Sequence, residues 1–530
     1  MLDPRDRQTV WDVLDERASR LGDKTWIVTS ETSNGFARMR QRALDLASGF
    51  RSLGIATGDT VLLMLPDGID IITCWLALAR IGALEVPVNT QLRGNTLKHV
   101  LENSDARVLV IDRRYLPHVR PLLSELPRLE QLVLTGEGED PGLDLPRTEL
   151  RTLTEVTADT PLLPLPPRAH DLLAVMYTSG TTGPSKGVMV AHTQAYEYAL
   201  AVVELLEMRE ADVYYNPLPL FHIAGQWAAV YATLISGATV VIPGAFSLSG
   251  FWQDVHRHGA TCTFLLGAMA SWLWRQPPSA GDAVTPMQRM LIVPLLPEVE
   301  DFKTRFNVLV STTWGSTEIN VPMRSTFDLA DNKTCGRVAS DRYEVRIVDA
   351  DDREVAPGVP GEAVVRTSVP WMLMAGYWRN PEATAHAWRN QWVHSGDIMM
   401  RDEAGNFTFV DRLKDAIRRR GENISSMEVE AEVLSHPAIL ECAVVPVVAA
   451  DAEQEVLAIV SLKPGESLAP DALIRFLDGR MARFMIPRYV EIIDAMPKTP
   501  TGKIQKFVLR ERGLTPATWD REISGIKLSR

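Results

Sequence analysis

The chain has 530 residues, too many for one hydrophobic core, so several folding units are expected. Its 46% hydrophobic and 23% charged residues are those of an ordinary globular protein. A net charge of −12 argues against general binding to nucleic acid or an anionic membrane surface, although a locally positive loop can still hold an anionic nucleotide.

In chain order, the start Met1-Leu-Asp-Pro-Arg-Asp-Arg7 is charged and carries no apolar stretch, so no secretory signal is expected. From 40 to 170, helical and strand patterns alternate. Arg40–Leu53 reads as an amphipathic helix, Thr60–Leu65 as a strand, Ile71–Ile81 as a helix and Val108–Ile111 as a strand. The apolar window Ile69–Val88 is broken by Asp70, Arg80 and Glu85, which predicts an amphipathic helix and then a strand rather than a membrane span. This alternation suggests βαβ units and a mostly parallel sheet. Pro161–Pro167 reads as a stiff connector. A second α/β block is expected from about Asp171 to Trp314. Short strands such as Glu344–Val348 and Gly361–Arg366 then suggest a small β-barrel-like unit. A boundary falls near Val410–Asp415. Ser425-Ser-Met-Glu428 forms a capping-box pattern before Val429, Val433 and Leu434. Strands Cys442–Val448 and Val456–Leu462 and a helix Asp471–Met481 complete a compact last unit. Cys74, Cys262, Cys335 and Cys442 lie far apart and include no Cys-x-x-Cys pair, which fits a reducing compartment.

The densest chemistry lies in Tyr177-Thr-Ser-Gly-Thr-Thr-Gly-Pro-Ser-Lys-Gly187. Eleven residues carry three glycines, five Ser/Thr hydroxyls and a lysine directly after the strand-like Leu172–Met176. Glycines let the backbone approach an anion, hydroxyls donate to it, and Lys186 adds positive charge. The spacing fails the Gly-x4-Gly-Lys-[Ser/Thr] rule, because Ser185 precedes the lysine and Gly187 follows it. A polyphosphate loop of another kind is therefore expected, with a plain glycine-rich turn as the alternative.

This segment resembles the signature of the adenylate-forming superfamily of acyl-CoA synthetases, peptide-synthetase adenylation domains and beetle luciferases. Matching motifs recur in order along nearly the whole chain, nearest to the acyl-CoA synthetase branch of crotonobetaine/carnitine–CoA ligase type. The resemblance implies an α/β fold with a large N-terminal domain, 1–411, of two α/β subdomains plus a small β-barrel-like subdomain. A small mobile α+β domain, 412–530, follows. It also implies ATP and Mg²⁺, with CoA as co-substrate. Thr178, Ser179, Gly180, Thr181, Thr182, Gly183 and Lys186 would grip the β- and γ-phosphates. Trp314-Gly-Ser-Thr-Glu318 resembles the aromatic-Gly-x-Thr-Glu motif. There Trp314 and Gly315 would face adenine, Thr317 the phosphate, and Glu318 would ligate Mg²⁺. Trp replaces the more common Tyr, which keeps the ring and loses the hydroxyl. His394-Ser-Gly-Asp397 resembles the motif whose Asp takes the ribose hydroxyls, and Asp411-Arg412 resembles its second ribose contact.

Lys414 falls on the family's hinge position, and Lys503, in Pro497-Lys-Thr-Pro-Thr-Gly-Lys503, on the lysine that bridges carboxylate and α-phosphate. Gly421, within Ile417–Ile424, would leave room for the thiol arm of CoA. Arg418 to Arg420 would meet CoA phosphates or form a solvated basic turn. His222, after Pro219-Leu-Phe, would border the acyl pocket together with Trp227 and Gly267, the last replacing a usual proline. Leu291-Ile-Val-Pro294 departs from the common Gly-Gly-Ala-Pro, as the carnitine-type branch does. The expected activity is therefore acid–CoA ligation through an acyl-adenylate in the cytoplasm, without a nucleic-acid partner or membrane span. Open alternatives are an adenylating enzyme that activates an unusual acid, even a small oxyacid, for a carrier protein or other nucleophile, and a catalytically silent nucleotide-binding relative. Homo-oligomerisation and the identity of the acid also stay open.

Overall fold

A computed structural model of the protein describes all residues other than 1–8, 139–141, 143–147, 157–166, 179–184, 245, 414–416, 420–421, 425, 449–453, 479, 482, 484, 499–501, 503, 527 and 529–530, and the side chains of 418, 422 and 423. Most of the connector Pro161–Pro167 and Ser425 of the capping-box pattern lie outside the described residues.

Strand runs such as Thr60–Met64 and Val108–Asp112 are buried at every position, as strands must be when helices cover both faces of a parallel sheet. They lie in an eight-stranded sheet. Its order is Gly376–Tyr377, Lys186–Ala191, Leu172–Thr178, Leu84–Pro87, Thr60–Met64, Val108–Asp112, Gln131–Thr135, Glu149–Thr152. The helix Ile69–Ile81 forms as expected and the strand Leu84–Pro87 follows it. The helix is not amphipathic, because Ile71 to Ala79 are all buried. It packs between layers rather than on a surface.

The second sheet runs Leu309–Ser311, Arg289–Val293, Cys262–Leu266, Val213–Tyr215, Thr239–Ile242, Thr25–Thr29, Ser33–Gly35. The expected division into successive blocks at Asp171 is therefore not how the sheets are built. Leu172–Thr178 and Lys186–Ala191 complete the first sheet, while Thr25–Thr29 pairs in parallel with Thr239–Ile242 in the second. Periodicity marks a strand but carries no address for its partner, and so the crossover was not visible. One continuous apolar core, including Trp75, Tyr231, Trp227 and Met323, joins these layers.

A third sheet is antiparallel, in the order Thr313–Ser316, Asn320–Arg324, Thr334–Val338, Phe407–Arg412, Val393–Arg401, Gly361–Thr367, Tyr343–Val348. Tyr343–Val348 returns against Asn320–Arg324 and Thr334–Val338, which curls the sheet into a barrel-like unit. Beyond it, a hairpin Ile417–Arg419/Glu422–Ile424, the helix Ser426–Leu434 and a sheet built on Ile439–Val448, Gln454–Leu462 and Tyr489–Ile492 enclose a separate core around Val429, Val444 and Leu473. Val429 and Val433 are buried, and Leu434 is exposed at the end of the helix.

Candidate active site

Thr178 ends one strand of the first sheet and Lys186 begins the next, and the two residues sit opposite each other across the antiparallel pair. The segment between them, with Ser179, Gly180, Thr181, Thr182 and Gly183, lies outside the described residues. Its base is braced: the Tyr177 hydroxyl donates to Asn103 Oδ1 at 2.6 Å, and His99 Nε2 lies 2.9 Å from the Ser185 carbonyl. Lys186 Nζ sits 4.8 Å from the ring centroid of Tyr377, a cation–π contact. The Tyr377 hydroxyl donates to Glu318 Oε1 at 3.1 Å. Burial and the adjacent Glu318 carboxylate push the Tyr377 phenol well up, so it keeps its proton and remains the donor.

Glu318 lies in the tight turn between Thr313–Ser316 and Asn320–Arg324. A Cβ at Gly315 would fall 2.0 Å from the Asn320 carbonyl, so the close strand approach requires glycine there. Gln194 Nε2 donates to the Thr317 carbonyl at 2.7 Å, and the Met374 N–H donates to the Glu318 carbonyl at 2.9 Å. Trp314 is buried, and its indole N–H donates to Asp397 Oδ2 at 2.9 Å.

Asp397 is held by its neighbours. Across the strand pair, Arg412 Nε lies 2.9 Å from Asp397 Oδ1, an ionic approach, and Oδ1 accepts no hydrogen bond among the described residues. Burial raises the Asp397 carboxyl above its ordinary range, opposed by Arg412 and the Trp314 indole and reinforced by Glu318 and Glu362. Such a buried carboxylate, one oxygen held by the Trp314 indole and the other beside the Arg412 guanidinium, keeps acceptor capacity for a polar donor such as a vicinal diol. Behind it, Glu362 accepts from the Gly396 N–H at 3.0 Å and lies 2.9 Å from both His394 Nδ1 and Arg389 Nη2. His394 therefore faces Glu362 and braces the turn that carries Asp397.

Asp411 and Arg412 point to different tasks. The Asp411 carboxylate is buried and accepts from the Ser426 N–H at 2.6 Å and the Arg412 N–H at 2.7 Å. It caps the first N–H of the helix Ser426–Leu434 from across the chain. Arg419, expected to meet CoA phosphates or to lie in a solvated basic turn, is instead buried in an ion pair with Glu455 at 2.7 Å. Gly421, Lys414 and Lys503 lie outside the described residues.

On the expected acyl side, His222 is exposed, and its Nδ1 accepts from the Ala224 N–H at 3.1 Å. Trp227 is only 1% exposed and meets Tyr198 edge to face, so it is a core residue. Trp272, by contrast, is exposed beside Phe246. A Cβ at Gly267 would fall 2.5 Å from the Pro294 carbonyl, which ties the helix Gly267–Trp274 closely to the Leu291–Pro294 segment. Asp67 accepts from the Leu220 N–H at 2.7 Å beside the Pro219–His222 segment, and burial pushes its carboxyl up to about 6.

Over residues 14–378 the sequence matches the AMP-binding enzyme family, and over 428–503 the AMP-binding enzyme C-terminal domain. The chain belongs to this family. A crotonobetaine/carnitine–CoA ligase of Escherichia coli is 33% identical over 508 residues, 92% of this chain and 96% of that one. Its namesake from Salmonella typhimurium is 32% identical over 519 residues, 95% and 99%. The anthranilate CoA ligase AuaEII, solved with anthranoyl-AMP, superposes with a TM-score of 0.83 at 25% identity over 95% of this chain and 97% of that one. ATP-bound MatB from Rhodopseudomonas palustris shares the fold, with a TM-score of 0.83 at 24% identity over 95% and 99%. The AMP-binding enzyme described here is an AMP-forming acid–CoA ligase, and its reaction uses ATP, Mg²⁺ and CoA.

Among the described residues of this AMP-binding enzyme, no three His, Cys, Asp or Glu side chains gather as a metal cluster. A single partly exposed carboxylate, Glu318, fits a hard cation that is otherwise held by water and substrate phosphates. Tyr377 and Glu362 are the residues that the motif reading missed. Neither carries a motif of its own, and each is recognised only by the charged group that the fold brings beside it. No helix among the described residues is long and apolar enough to cross a membrane.

Proposed function

We propose that this AMP-binding enzyme runs its two half-reactions with the residues singled out above. In the first, a carboxylate oxygen of the acid attacks the α-phosphorus of ATP and the bond to pyrophosphate breaks. In the second, the CoA sulfur attacks the acyl carbonyl, the bond to AMP breaks, and the thiol proton passes to solvent. Two anions meet in the first step, so cations and oriented donors matter more than an acid–base pair.

Thr178, Ser179 to Gly183 and Lys186 hold the β- and γ-phosphates. Trp314 and Gly315 border adenine, Asp397 and Arg412 take the ribose, Thr317 donates to phosphate and Glu318 ligates Mg²⁺. When bound, Mg²⁺ neutralises charge on the phosphate oxygens. Lys503 follows the negative charge developing between carboxylate and α-phosphate. Residues 412–530 turn about Lys414 to withdraw Lys503, and Gly421 leaves space for the thiol arm. His222 and Gly267 belong to the acyl side, and Trp227 backs it from the core. The observation that carries this reading is the pair of contacts Lys186–Tyr377–Glu318 and Trp314–Asp397–Arg412, which unite side chains remote in sequence.

The relatives' names make trimethylammonium acids such as carnitine and crotonobetaine the first candidates for the acid. Four buried, free cysteines support a cytoplasmic setting. The test is ATP–pyrophosphate exchange over an acid panel, with and without CoA, and mass spectrometry for the acyl-CoA. Exchange and a thioester are expected. Exchange without thioester would move the acceptor to a carrier protein or another nucleophile, and no exchange with any acid would overturn the reading. Lys503→Ala should abolish exchange yet spare thioester formation from preformed acyl-adenylate. Equal loss of both would count against a lysine that withdraws between steps.

A further inference from the structure

The strand Gly376–Tyr377 is only two residues long, yet it connects the two charged groups that flank the polyphosphate site. Its backbone joins both sides. The Met374 N–H donates to the Glu318 carbonyl at 2.9 Å, the Ala375 N–H to the Met189 carbonyl at 3.0 Å and the Trp378 N–H to the Gly187 carbonyl at 2.7 Å. The Trp378 indole N–H anchors the far end on the Asn103 carbonyl at 3.2 Å. Gly376 has φ +143°, and a Cβ there would meet Thr384 Cγ2 at 2.8 Å, so the backbone turns where a larger residue would not fit. The Tyr377 N–H is fixed by Thr384 Oγ1 at 2.9 Å. The Tyr377 side chain is thus aimed by bonds on both sides before any ligand is bound. Its hydroxyl reaches Glu318 Oε1 and its ring face lies under Lys186 Nζ.

We propose that Tyr377 is a positioning residue that sets the Glu318 carboxylate with its hydroxyl and the Lys186 ammonium with its ring. This rests on Glu318 as the Mg²⁺ carboxylate and Lys186 as a phosphate contact. A carboxylate with one oxygen committed to a hydroxyl cannot rotate freely, so its other oxygen is presented to the metal without an ordering cost. A long lysine stem loses rotamer freedom when it grips phosphate, and a contact with a fixed aromatic face meets part of that loss beforehand. The two effects are separable, because among the described residues the hydroxyl bonds to Glu318 and the ring meets Lys186.

The experiment measures binding on the full chain. Mn²⁺ affinity is read by electron paramagnetic resonance in the complex with α,β-methylene ATP. The affinity of that analogue without divalent metal is read by calorimetry. Tyr377→Phe should weaken Mn²⁺ roughly tenfold, the scale of a hydrogen bond to a charged group, and leave metal-free analogue binding unchanged. Tyr377→Leu should weaken both. Glu318→Gln should lose Mn²⁺ affinity at least as far as Tyr377→Phe. If Tyr377→Phe binds Mn²⁺ like the unaltered chain while Glu318→Gln does not, the positioning role is wrong and the Glu318 reading stands. If Glu318→Gln also binds normally, both fall. A drop in unfolding temperature with neither affinity changed would reduce Tyr377 to a packing residue and overturn the proposal.

Discussion

Trp314 shows how one ring exchange redistributes polar groups. Sequence comparison with the family motif counted the lost tyrosine hydroxyl as a deletion, but the indole N–H takes a new acceptor, Asp397 Oδ2, at 2.9 Å. Removing that donor leaves a buried carboxylate oxygen without its bond, at a cost of about 1–3 kcal/mol. Trp314→Phe, which keeps an aromatic face, should therefore raise the KM for ATP about tenfold or more, with the KM for the acid unchanged in steady-state kinetics. At this scale, Lys186, Glu318 and Asp397 stand out in the sequence because each sits in a motif of fixed spacing, and the fold then gives them the neighbours Tyr377, Trp314 and Arg412. The sequence did not show where a common charged residue had a partner far along the chain. Arg419 reads as part of a basic run, but Glu455 claims it in the core. Asp411 lies in a motif that resembles a ribose contact, and its carboxylate also accepts from the first N–H of a helix that begins fifteen residues later.

Among the elements, periodicity located Thr60–Met64, Val108–Asp112 and the helix at Ile69–Ile81 well, because burial on a sheet or between layers imposes it. The segment after His222 was less legible. A short helical turn Ile223–Gly225 runs into a π-helix, Gln226–Tyr231, and no sequence period announces that change of winding. Gly225 makes the turn possible, because a Cβ there would lie 2.2 Å from the Pro219 carbonyl and 2.6 Å from the Leu218 carbonyl. Both obstacles are backbone and cannot swing aside. Gly225→Ala should destabilise by about 1–3 kcal/mol through overpacking. A calorimetric scan should show the main transition at lower temperature, and an unchanged transition would mean that the turn can open without cost.

Across the whole molecule, a buried acid links the two α/β layers. Glu85, on a strand of the first sheet, accepts from Gln226 Nε2 at 2.9 Å in the π-helix beyond the second sheet's strand Val213–Tyr215. Burial pushes its carboxyl up to about 8, opposed by the Gln226 bond. The folded protein therefore keeps a proton that the unfolded chain releases near pH 4.5, so stability falls as pH rises from about 4.5 to about 8 and levels off above that. Glu85→Gln, which cannot ionise, should flatten this part of the profile and raise the unfolding temperature at pH 8, by no more than about 5 kcal/mol of stability. Parallel pH profiles for the two proteins would remove Glu85 as the cause.

The pairing of Thr25–Thr29 with Thr239–Ile242 also has a consequence for synthesis. As the chain leaves the ribosome, Ile27 must wait for Val240, more than two hundred residues later, before its strand has a parallel partner. At roughly 5–20 residues per second, that delay is about 10 to 40 seconds. Throughout it, Trp26 and Ile27 lack the neighbour that buries them in the finished protein. The first strand made in the second sheet thus has only its short antiparallel neighbour Ser33–Gly35 until Thr239–Ile242 emerges, and over that interval its apolar face is open to mispairing.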